Sequence, residues 1–237
     1  MEINYLGHST VELVEGDVRV LIDPFLAPNN PSAKLTAEDV DPTHVFITHA
    51  HADHFADAVA VGERTGASFV AITELANVLQ EQGIEDAVDA NLGGIVTYDW
   101  GWVKLVQAFH TSTVPGSADK PYSPTSGTVI GAACGLLVNL GGKTFYHLGD
   151  TALFSDLKLI AERTPVDVAF IPIGGHYTMH REDAVVAAEF VGADTVIPVH
   201  FNTFPPIETD AEAFKSDVES ATSSKVVVMA PGDTHQV

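Results

Sequence analysis

The sequence predicts an α+β fold of four layers, an αββα sandwich in which two mixed sheets lie between outer layers of helices. Short apolar β-like runs dominate the first part of the chain, whereas the second part alternates such runs with helical stretches. Helical patterns flank both regions. No long linker or low-complexity stretch interrupts the 237 residues, so we expect one domain over residues 1–237.

The first part of the chain begins with a pattern typical of a β-meander, followed by a buried strand and two helices. Gly16 and Asp17 lie between two β-like runs and predict a hairpin turn, while Gly83 predicts the end of a helix. The predicted strands cover residues 3–6, 10–15, 18–22 and 44–48, and the predicted helices cover residues 55–65 and 73–82.

The second part of the chain contains a clear hairpin, because Gly141 and Gly142 separate two β-like runs. The predicted strands lie at residues 94–98, 102–109, 136–140, 143–147, 166–173, 195–199 and 225–229, and the predicted helices lie at residues 181–191 and 210–221. Residues 111–131 form the longest segment without a clear period, and this segment carries three prolines. A long loop in a compact domain is usually functional or disordered, and its place directly after His110 favours an active-site loop.

The composition narrows the classes of partner. The chain has 32 acidic and 11 basic residues, and its net charge of −21 disfavours binding to nucleic acid. The acidic residues are scattered, which favours solubility in a salt-rich cell over a function in binding cationic ligands. We expect a small-molecule substrate, and the sequence leaves open whether the protein forms a homo-oligomer.

The composition also bears on compartment and cysteine chemistry. No apolar run approaches the ~20 residues that cross a bilayer, and Met1–Leu6 lacks the features of a signal peptide, so we expect a cytoplasmic protein without membrane contact. Cys134 is the only cysteine, which excludes an intrachain disulfide and a multi-thiolate zinc site. Its apolar neighbours predict a buried side chain.

The segment Thr48–His54 has the composition of a metal site, because it contains three histidines and one aspartate within six residues directly after a predicted strand. Imidazole and carboxylate ligands suit zinc, iron or manganese. His49 and His51 are two residues apart and point the same way on an extended backbone. Asp53 and His54 lie where a helix would begin, which directs their side chains away from those of His49 and His51. One short turn can therefore serve two adjacent metals.

Three further candidate ligands each follow a predicted strand: His110, Asp150 and His200. The ends of strands that meet at one edge of a sheet are a common location for sites in α/β folds. Together with the Thr48–His54 segment, they supply five histidines and two aspartates. That number is enough for two metals with an open coordination position.

These residues resemble the ligand pattern of the metallo-β-lactamase superfamily of metal-dependent hydrolases. His49 to His54 match its His-x-His-x-Asp-His motif, and His110, Asp150 and His200 follow in its later ligand positions. The resemblance extends over essentially the whole chain. Four segments also resemble a smaller group of metal-dependent hydrolases related to ascorbate-6-phosphate lactonases: Leu6–Ser9, Ile22–Pro24, Pro172–Met179 and Pro198–Thr203. His180 and Arg181 depart from that group, where an acidic residue and proline would be expected.

The resemblance implies a centre of two divalent metal ions, with zinc expected and manganese or iron as alternatives. By that resemblance the first ion takes His49, His51 and His110, the second takes Asp53, His54 and His200, and Asp150 bridges both, with a hydroxide between the ions. Two carboxylates and a hydroxide would leave about one positive charge from two divalent ions. Such a centre can attract a carbonyl, carboxylate or phosphate oxygen.

Other residues allow both a structural and a functional interpretation. His8 is either a hydrogen-bonded structural residue or one that faces the substrate, and Asp23 either caps a turn or orients a ligand histidine. His147 is interpreted as core or as support for a ligand. Beyond Asp53 and Asp150, His176 is the third catalytic candidate, because it follows a Gly-Gly turn and could stabilise an oxyanion or protonate a leaving group.

The leading functional hypothesis is a dinuclear metal-dependent hydrolase in which the bridging hydroxide attacks an ester, lactone or related bond of a small molecule. The alternatives are a phosphodiesterase or nuclease, a di-iron redox protein of the same fold, and a metal-binding protein without catalysis. A nuclease ranks below a small-molecule enzyme because the sequence shows no basic patch to offset the charge of −21.

Overall fold

The computed structural model describes residues 1–114 and 128–237. In chain order its elements are β1 (Glu2–Gly7), β2 (Thr10–Glu15), β3 (Val18–Ile22), β4 (His44–Phe46), α1 (Ala52–Phe55), α2 (Ala58–Thr65), β5 (Ser68–Ile72), α3 (Thr73–Glu81), β6 (Ala87–Ala90), β7 (Ile95–Tyr98), β8 (Gly101–Gln107), β9 (Thr113–Val114), β10 (Thr128–Val129), β11 (Cys134–Leu140), β12 (Lys143–His147), α4 (Asp156–Arg163), β13 (Val168–Pro172), α5 (Arg181–Val191), β14 (Thr195–Val199), a short 3-10 helix (Pro205–Ile207), α6 (Ala211–Ala221), β15 (Lys225–Val226) and β16 (Thr234–Gln236).

Two seven-stranded mixed sheets form the centre of the fold. The first has the order β16-β1-β2-β3-β4-β5-β6, antiparallel from β16 to β3 and parallel from β3 to β6. The second has the order β15-β14-β13-β12-β11-β8-β7, parallel from β15 to β12 and antiparallel from β12 to β7. Strands β9 and β10 pair with each other.

The alternation of side chains along β11 shows how the layers pack. Leu136, Val138 and Leu140 join a buried cluster shared by both sheets, whereas Leu137 joins a second cluster formed with α4, α5 and α6. This is the period of two expected for a strand buried on both faces. Helix α3 packs on β5 and β6, while α5 packs on β13 and α6 on β15. The predicted four-layer α+β fold is therefore confirmed.

The predicted elements match most closely where local signals are strong. Helix α5 has the predicted bounds, and the hairpin of β11 and β12 turns at Gly141 and Gly142 as expected. Strands β5 and β6 and helix α4 were not predicted. Among the described residues, no helix combines the length and the apolar character needed to cross a bilayer.

The predicted helix over residues 55–65 is instead divided into α1 and α2. Asp57 lies at the break, where its backbone N–H donates to the carbonyl of Pro24. Its carboxylate accepts from the backbone N–H of Leu26 at 2.6 Å and from the Asn29 amide at 2.8 Å. These long-range bonds compete with continuous helix formation, and no periodicity within residues 55–65 reveals them.

Gly149 offers a test of how tightly the turn after β12 is packed. Its φ of 65° is left-handed, and a Cβ there would lie 2.5 Å from the carbonyl oxygen of Cys134. Gly66 is a matched control, because its φ is 66° and a Cβ there meets no atom within 4 Å. We expect Gly66→Ala to cost about 1 kcal/mol of the free energy of unfolding and Gly149→Ala to cost at least about 2 kcal/mol more.

Urea unfolding of both variants measures this difference. Equal losses in the two variants would show that the turn after β12 relaxes freely.

Candidate metal centre

The turn after β4 is held by a single buried carboxylate. Asp23 follows β3, and it accepts from the backbone N–H of Thr48 at 2.8 Å and from the Thr48 hydroxyl at 2.6 Å. It also accepts from Nδ1 of His54 at 2.7 Å. Because a carboxylate only accepts, Nδ1 of His54 carries a proton and Nε2 is directed elsewhere. The interpretation of Asp23 as an orienting residue agrees with these contacts.

The first cluster consists of His49, His51 and His110, whose nitrogen atoms lie within 4.8 Å of one another. Nδ1 of His51 lies 3.1 Å from Nε2 of His49 and 3.3 Å from Nε2 of His110. Zinc–nitrogen bonds of about 2.0–2.1 Å in a tetrahedron place neighbouring nitrogen atoms about 3.3 Å apart. The spacing of the first cluster therefore fits a tetrahedral metal ion.

The second cluster combines Asp53, His54 and His200 with His8, and the ligand atoms of these residues also lie within 4.8 Å of one another. Three of the buried side-chain atoms at the centre have no hydrogen bond of acceptable geometry to the described residues: His54 Nε2, His200 Nε2 and Asp150 Oδ1. Buried polar atoms without partners are rare in proteins, and each needs an explanation such as an ion. The donor set of the second cluster therefore also fits a metal.

Asp150 lies between the two clusters. Its carboxylate oxygens are 3.9 Å from His49 Nε2 and 3.5 Å from His110 Nε2, on the side of the first cluster. They are 3.3 Å from His54 Nε2 and 3.1 Å from His200 Nε2, on the side of the second cluster. The structure thus brings all seven predicted ligand residues together. The spacing predicted the division of His49 and His51 from Asp53 and His54, and the resemblance implied the places of His110, Asp150 and His200.

The histidines of the first cluster are held in the neutral form that binds metals. Burial, reinforced by neighbouring histidines, lowers the pKa of His51 and His110 and lowers the pKa of His49 well below its usual range. A neutral imidazole offers a lone pair to a metal ion. The first cluster is therefore prepared to bind a metal near neutral pH.

The second cluster carries compensating charges in the absence of a metal. Burial would lower the pKa of His54 and His200, but Asp150 outweighs it, aided at His54 by Asp23. The pKa of His54 is raised well above its usual range and that of His200 to about 9. Burial would raise the pKa of Asp150, but His200 and His54 hold it well below its usual range. The buried charges therefore stabilise one another.

His8 supports the second cluster. Its Nε2 lies 3.1 Å from Oδ2 of Asp53 and its Nδ1 lies 2.9 Å from the hydroxyl of Thr203. The centroid of its ring is 4.1 Å from that of His200. Since both ring nitrogens of His8 have partners, the side chain holds Asp53 in place. The Gly7-His8-Ser9 turn was the sequence signal, but the signal did not reveal which residue His8 contacts.

His147 is a buried core residue close to the ligands. Its Nε2 bonds to the carbonyl of Ser9 at 2.9 Å, and its Nδ1 accepts from the backbone N–H of Gly149 at 3.1 Å. It belongs to neither cluster. The contacts show that His147 links the N-terminal strands to the turn that carries Asp150.

Strained backbone is concentrated at this centre. Among residues 1–114 and 128–237, the non-glycine residues with positive φ are His8, Asp23, His200 and Asn202. Three of these lie in or support the second cluster, and Asn202 follows two residues after His200. Left-handed non-glycine residues persist only where the surrounding contacts outweigh the strain, and they cluster at functional sites.

A cavity of about 600 Å³ opens over the two clusters. Its floor includes Asp53 and Asp150, and the exposed fraction of the Asp53 side chain, 29%, is far above the 3% of Asp150. The other side chains that line it are mostly apolar. They include Phe25, Ala52, Tyr177, Phe204 and Pro206.

The remaining predicted residues lie outside the clusters. His176 is exposed, and its ring meets the edge of Tyr177, which lines the cavity in its place. Its catalytic role stays a prediction. Arg181 Nε lies 3.1 Å from an oxygen of Asp217, so its charge is engaged away from the cavity. Of the predicted active-site loop 111–131, residues 115–127 lie outside the described residues, and Thr111 lines the cavity.

Comparison with known proteins gives matches over nearly all of the chain. The β-lactamase superfamily domain matches residues 2–200. A UPF0173 metal-dependent hydrolase of Shouchella clausii is 44% identical, over 93% of this chain and 94% of that protein. One from Natranaerobius thermophilus is 38% identical over the full length of both chains.

Solved structures show the same fold. Igni18, a metallo hydrolase of Ignicoccus hospitalis, has a TM-score of 0.86 and 38% identity, covering 100% of this chain and 98% of that one. An isothiocyanate hydrolase of Delia radicum gut bacteria has a TM-score of 0.75 and 20% identity, covering 100% and 99%. At that identity, its similarity shows the fold alone.

These findings confirm the predicted superfamily, the fold and the assignment as a metal-dependent hydrolase. The relation to ascorbate-6-phosphate lactonases stays a prediction. So do the number and identity of the ions, the single domain and the cytoplasmic location.

The raised pKa values of His54 and His200 predict that metal binding displaces protons from these two side chains. With pKa values raised to about 9 in His200 and well above the usual range in His54, both imidazoles hold a proton at pH 7 in the metal-free protein. Metal ligation requires neutral histidine, so we expect about two protons to be released per protein at pH 7 and the apparent zinc affinity to rise with pH.

Zinc titration calorimetry in two buffers of different ionisation enthalpy measures the proton count. His200→Ala should release about one proton fewer, whereas His180→Gln, at an exposed position outside the clusters, should release the same number as the parent. If His200→Ala released as many protons as the parent, the result would contradict a protonated His200 in the metal-free protein.

Proposed function

This chain belongs to the UPF0173 metal-dependent hydrolases of the β-lactamase superfamily, and we propose that it hydrolyses an ester, lactone or related bond of a small molecule at a centre of two divalent metal ions. The observation that carries the proposal is the position of Asp150, whose carboxylate lies within 3.1–3.9 Å of histidine nitrogens from both clusters. A carboxylate in that position is suited to bridge two ions.

The proposed division of the residues that would hold the ions is supported by the two clusters. The first ion would be held by His49, His51 and His110, the second by Asp53, His54 and His200, with Asp150 shared. Imidazole with carboxylate favours zinc, and manganese and iron are the alternatives. When bound, the ions supply a water of lowered pKa and positive charge for the substrate oxygen that gains charge.

Residues around the ligands keep them in one protonation state and orientation. Asp23 accepts from Nδ1 of His54, which leaves Nε2 of His54 directed to the second site. His8 donates from Nε2 to Asp53, and its Nδ1 therefore accepts from the hydroxyl of Thr203. Substitution of such a supporting residue usually weakens metal affinity or activity by roughly 10- to 100-fold.

We infer that Asp53 handles a proton during the reaction. Its side chain is 29% exposed and lines the cavity, whereas Asp150 is enclosed. Oδ2 of Asp53 receives the hydrogen bond from His8, so the carboxylate is held in one orientation towards the cavity. A fixed carboxylate within reach of the substrate can accept a proton from the attacking water or pass it to a leaving group.

Hydrolysis of a small molecule is favoured over cleavage of nucleic acid. The net charge of −21 repels a polyanion, and the described residues that line the cavity include neither lysine nor arginine. A di-iron redox reaction draws support from a shared fold alone, since the di-iron β-hydroxylase CmlA of Streptomyces venezuelae is 16% identical.

Replacement of Asp150 tests the shared carboxylate. We expect Asp150→Asn to lower kcat/KM by about a thousandfold or more, because the amide neither bridges two cations nor offsets their charge. The measurement is turnover of a panel of esters, lactones, thioesters, β-lactams and phosphodiesters, each with zinc, manganese or iron. Asp194→Asn is the matched control, because Asp194 is exposed and lies directly before β14, at the end of the strand away from His200.

Circular dichroism and metal content accompany these rates, so that loss of the fold is separated from loss of the centre. Full turnover by a folded Asp150→Asn protein with two bound ions would contradict the proposed role of Asp150. No turnover by the parent protein on any substrate would contradict hydrolysis of these bond types.

The role of His176 is tested separately. If its imidazole protonates the leaving group, His176→Gln should lower kcat by about 10²- to 10⁴-fold for poor leaving groups and far less for activated esters. His180→Gln, an exposed histidine in the same loop, is the control. If both substitutions had the same small effect on every ester, the result would contradict a catalytic role of His176.

A further inference from the structure

The cavity over the metal centre has an aromatic wall. Phe25 is 5% exposed, and the centroid of its ring lies 6.3 Å from that of Phe204. Tyr177, 55% exposed, and Pro206 extend the apolar lining towards the opening. A wall of this kind binds flat apolar groups through burial and ring contacts.

The wall is attached to the catalytic centre and is not an independent surface feature. The ring of His8 meets the edge of Phe25 at 5.6 Å and that of Phe204 at 5.7 Å between centroids. Nε2 of the same His8 bonds to Asp53. One buried side chain therefore contacts both the wall and Asp53, so the wall lies beside the reacting groups.

The lining offers little to a charged group away from the metals. Apart from the candidate ligands, its polar side chains among the described residues are Asn29, Thr111 and the hydroxyl of Tyr177, and none of them is cationic. The amide nitrogen of Asn29 already donates to Asp57 at 2.8 Å. A carboxylate or phosphate placed against Phe25 and Phe204 would lose hydration without gaining a cationic partner from these residues, which is costly.

We propose that the substrate carries an uncharged, flat apolar group of about phenyl size beside the scissile bond. This group packs against Phe25 and Phe204 while the scissile carbonyl faces Asp53 and Asp150. This inference rests on the proposed function. A cavity of about 600 Å³ is large enough for such a molecule. The substrate class is therefore a neutral aryl or similarly flat carbonyl compound.

The first test compares matched esters. Zinc-loaded protein is assayed with phenyl acetate, 4-acetoxybenzoate and methyl acetate, and each kcat/KM is divided by the rate of hydroxide-catalysed hydrolysis of the same ester. We expect phenyl acetate to exceed both of the others by about tenfold or more after this correction. A preference for 4-acetoxybenzoate, or equal values for all three esters, would overturn the inference.

The second test uses a paired variant. Phe204→Ala should lower the corrected kcat/KM for phenyl acetate by about tenfold more than that for methyl acetate, because only the aryl ester loses the ring contact. Phe190→Ala is the matched control, because Phe190 is also half-buried but lies at the far end of α5, outside the cavity. Equal losses from the two substitutions on both esters would assign Phe204 a general effect on stability and contradict the wall.

A binding experiment separates this inference from the proposed function. Saturation-transfer NMR on the metal-free protein compares acetanilide, a neutral and slowly hydrolysed analogue, with 4-acetamidobenzoate. We expect a signal from acetanilide that weakens in Phe204→Ala and a far weaker signal from the anion. Binding of acetanilide without turnover of any ester would contradict the hydrolytic function alone, whereas turnover without this binding preference would overturn the substrate class alone.

Discussion

The buried carboxylate of Asp23 is the contact on which the centre depends. It joins the end of β3 to the turn after β4 by accepting two hydrogen bonds from Thr48, and it joins that turn to the second cluster through Nδ1 of His54. The residue has a left-handed φ of 49°, so the backbone strain is offset by these bonds. Because β3 and β4 are neighbouring parallel strands, one side chain can determine the direction of the ligand turn and the orientation of a ligand ring.

Burial of so many ionisable groups is possible because opposite charges and hydrogen bonds compensate one another. Asp150 lies close to histidines of both clusters, and without a metal the protons on His54 and His200 balance the carboxylates. Removal of one partner from such a cluster leaves a buried charge uncompensated, which costs several kcal/mol, about 3–5 in measured cases. The Nε2 atoms of His54 and His200 belong to the second cluster, so a cation bound there would replace the protons that they hold.

The chemistry and the selectivity of the cavity are physically coupled. His8 contacts Asp53 with one nitrogen and the rings of Phe25 and Phe204 with its face and edges. The loop that carries Phe204 also carries Thr203, which binds the other nitrogen of His8. The N-terminal turn and the loop after β14 therefore hold each other in place around the second cluster. A change in the apolar wall would alter the orientation of Asp53 as well as the fit of a substrate.

The sequence by itself determined the elements, and a set of candidate ligands, whose signals are local. Helix α5, the Gly141-Gly142 hairpin and the division of the Thr48–His54 segment between two clusters of candidate ligands follow from spacing and turn chemistry, because these depend on neighbouring residues only. Tertiary structure decided the break between α1 and α2 and the contacts of His8, since Asp57 bonds across 31 residues and His8 across 195. It also placed Phe25, Tyr177 and Phe204 around the cavity. Aromatic residues carry no local pattern that distinguishes a cavity wall from a core, so only the packed sheets and loops could reveal which of them face a substrate.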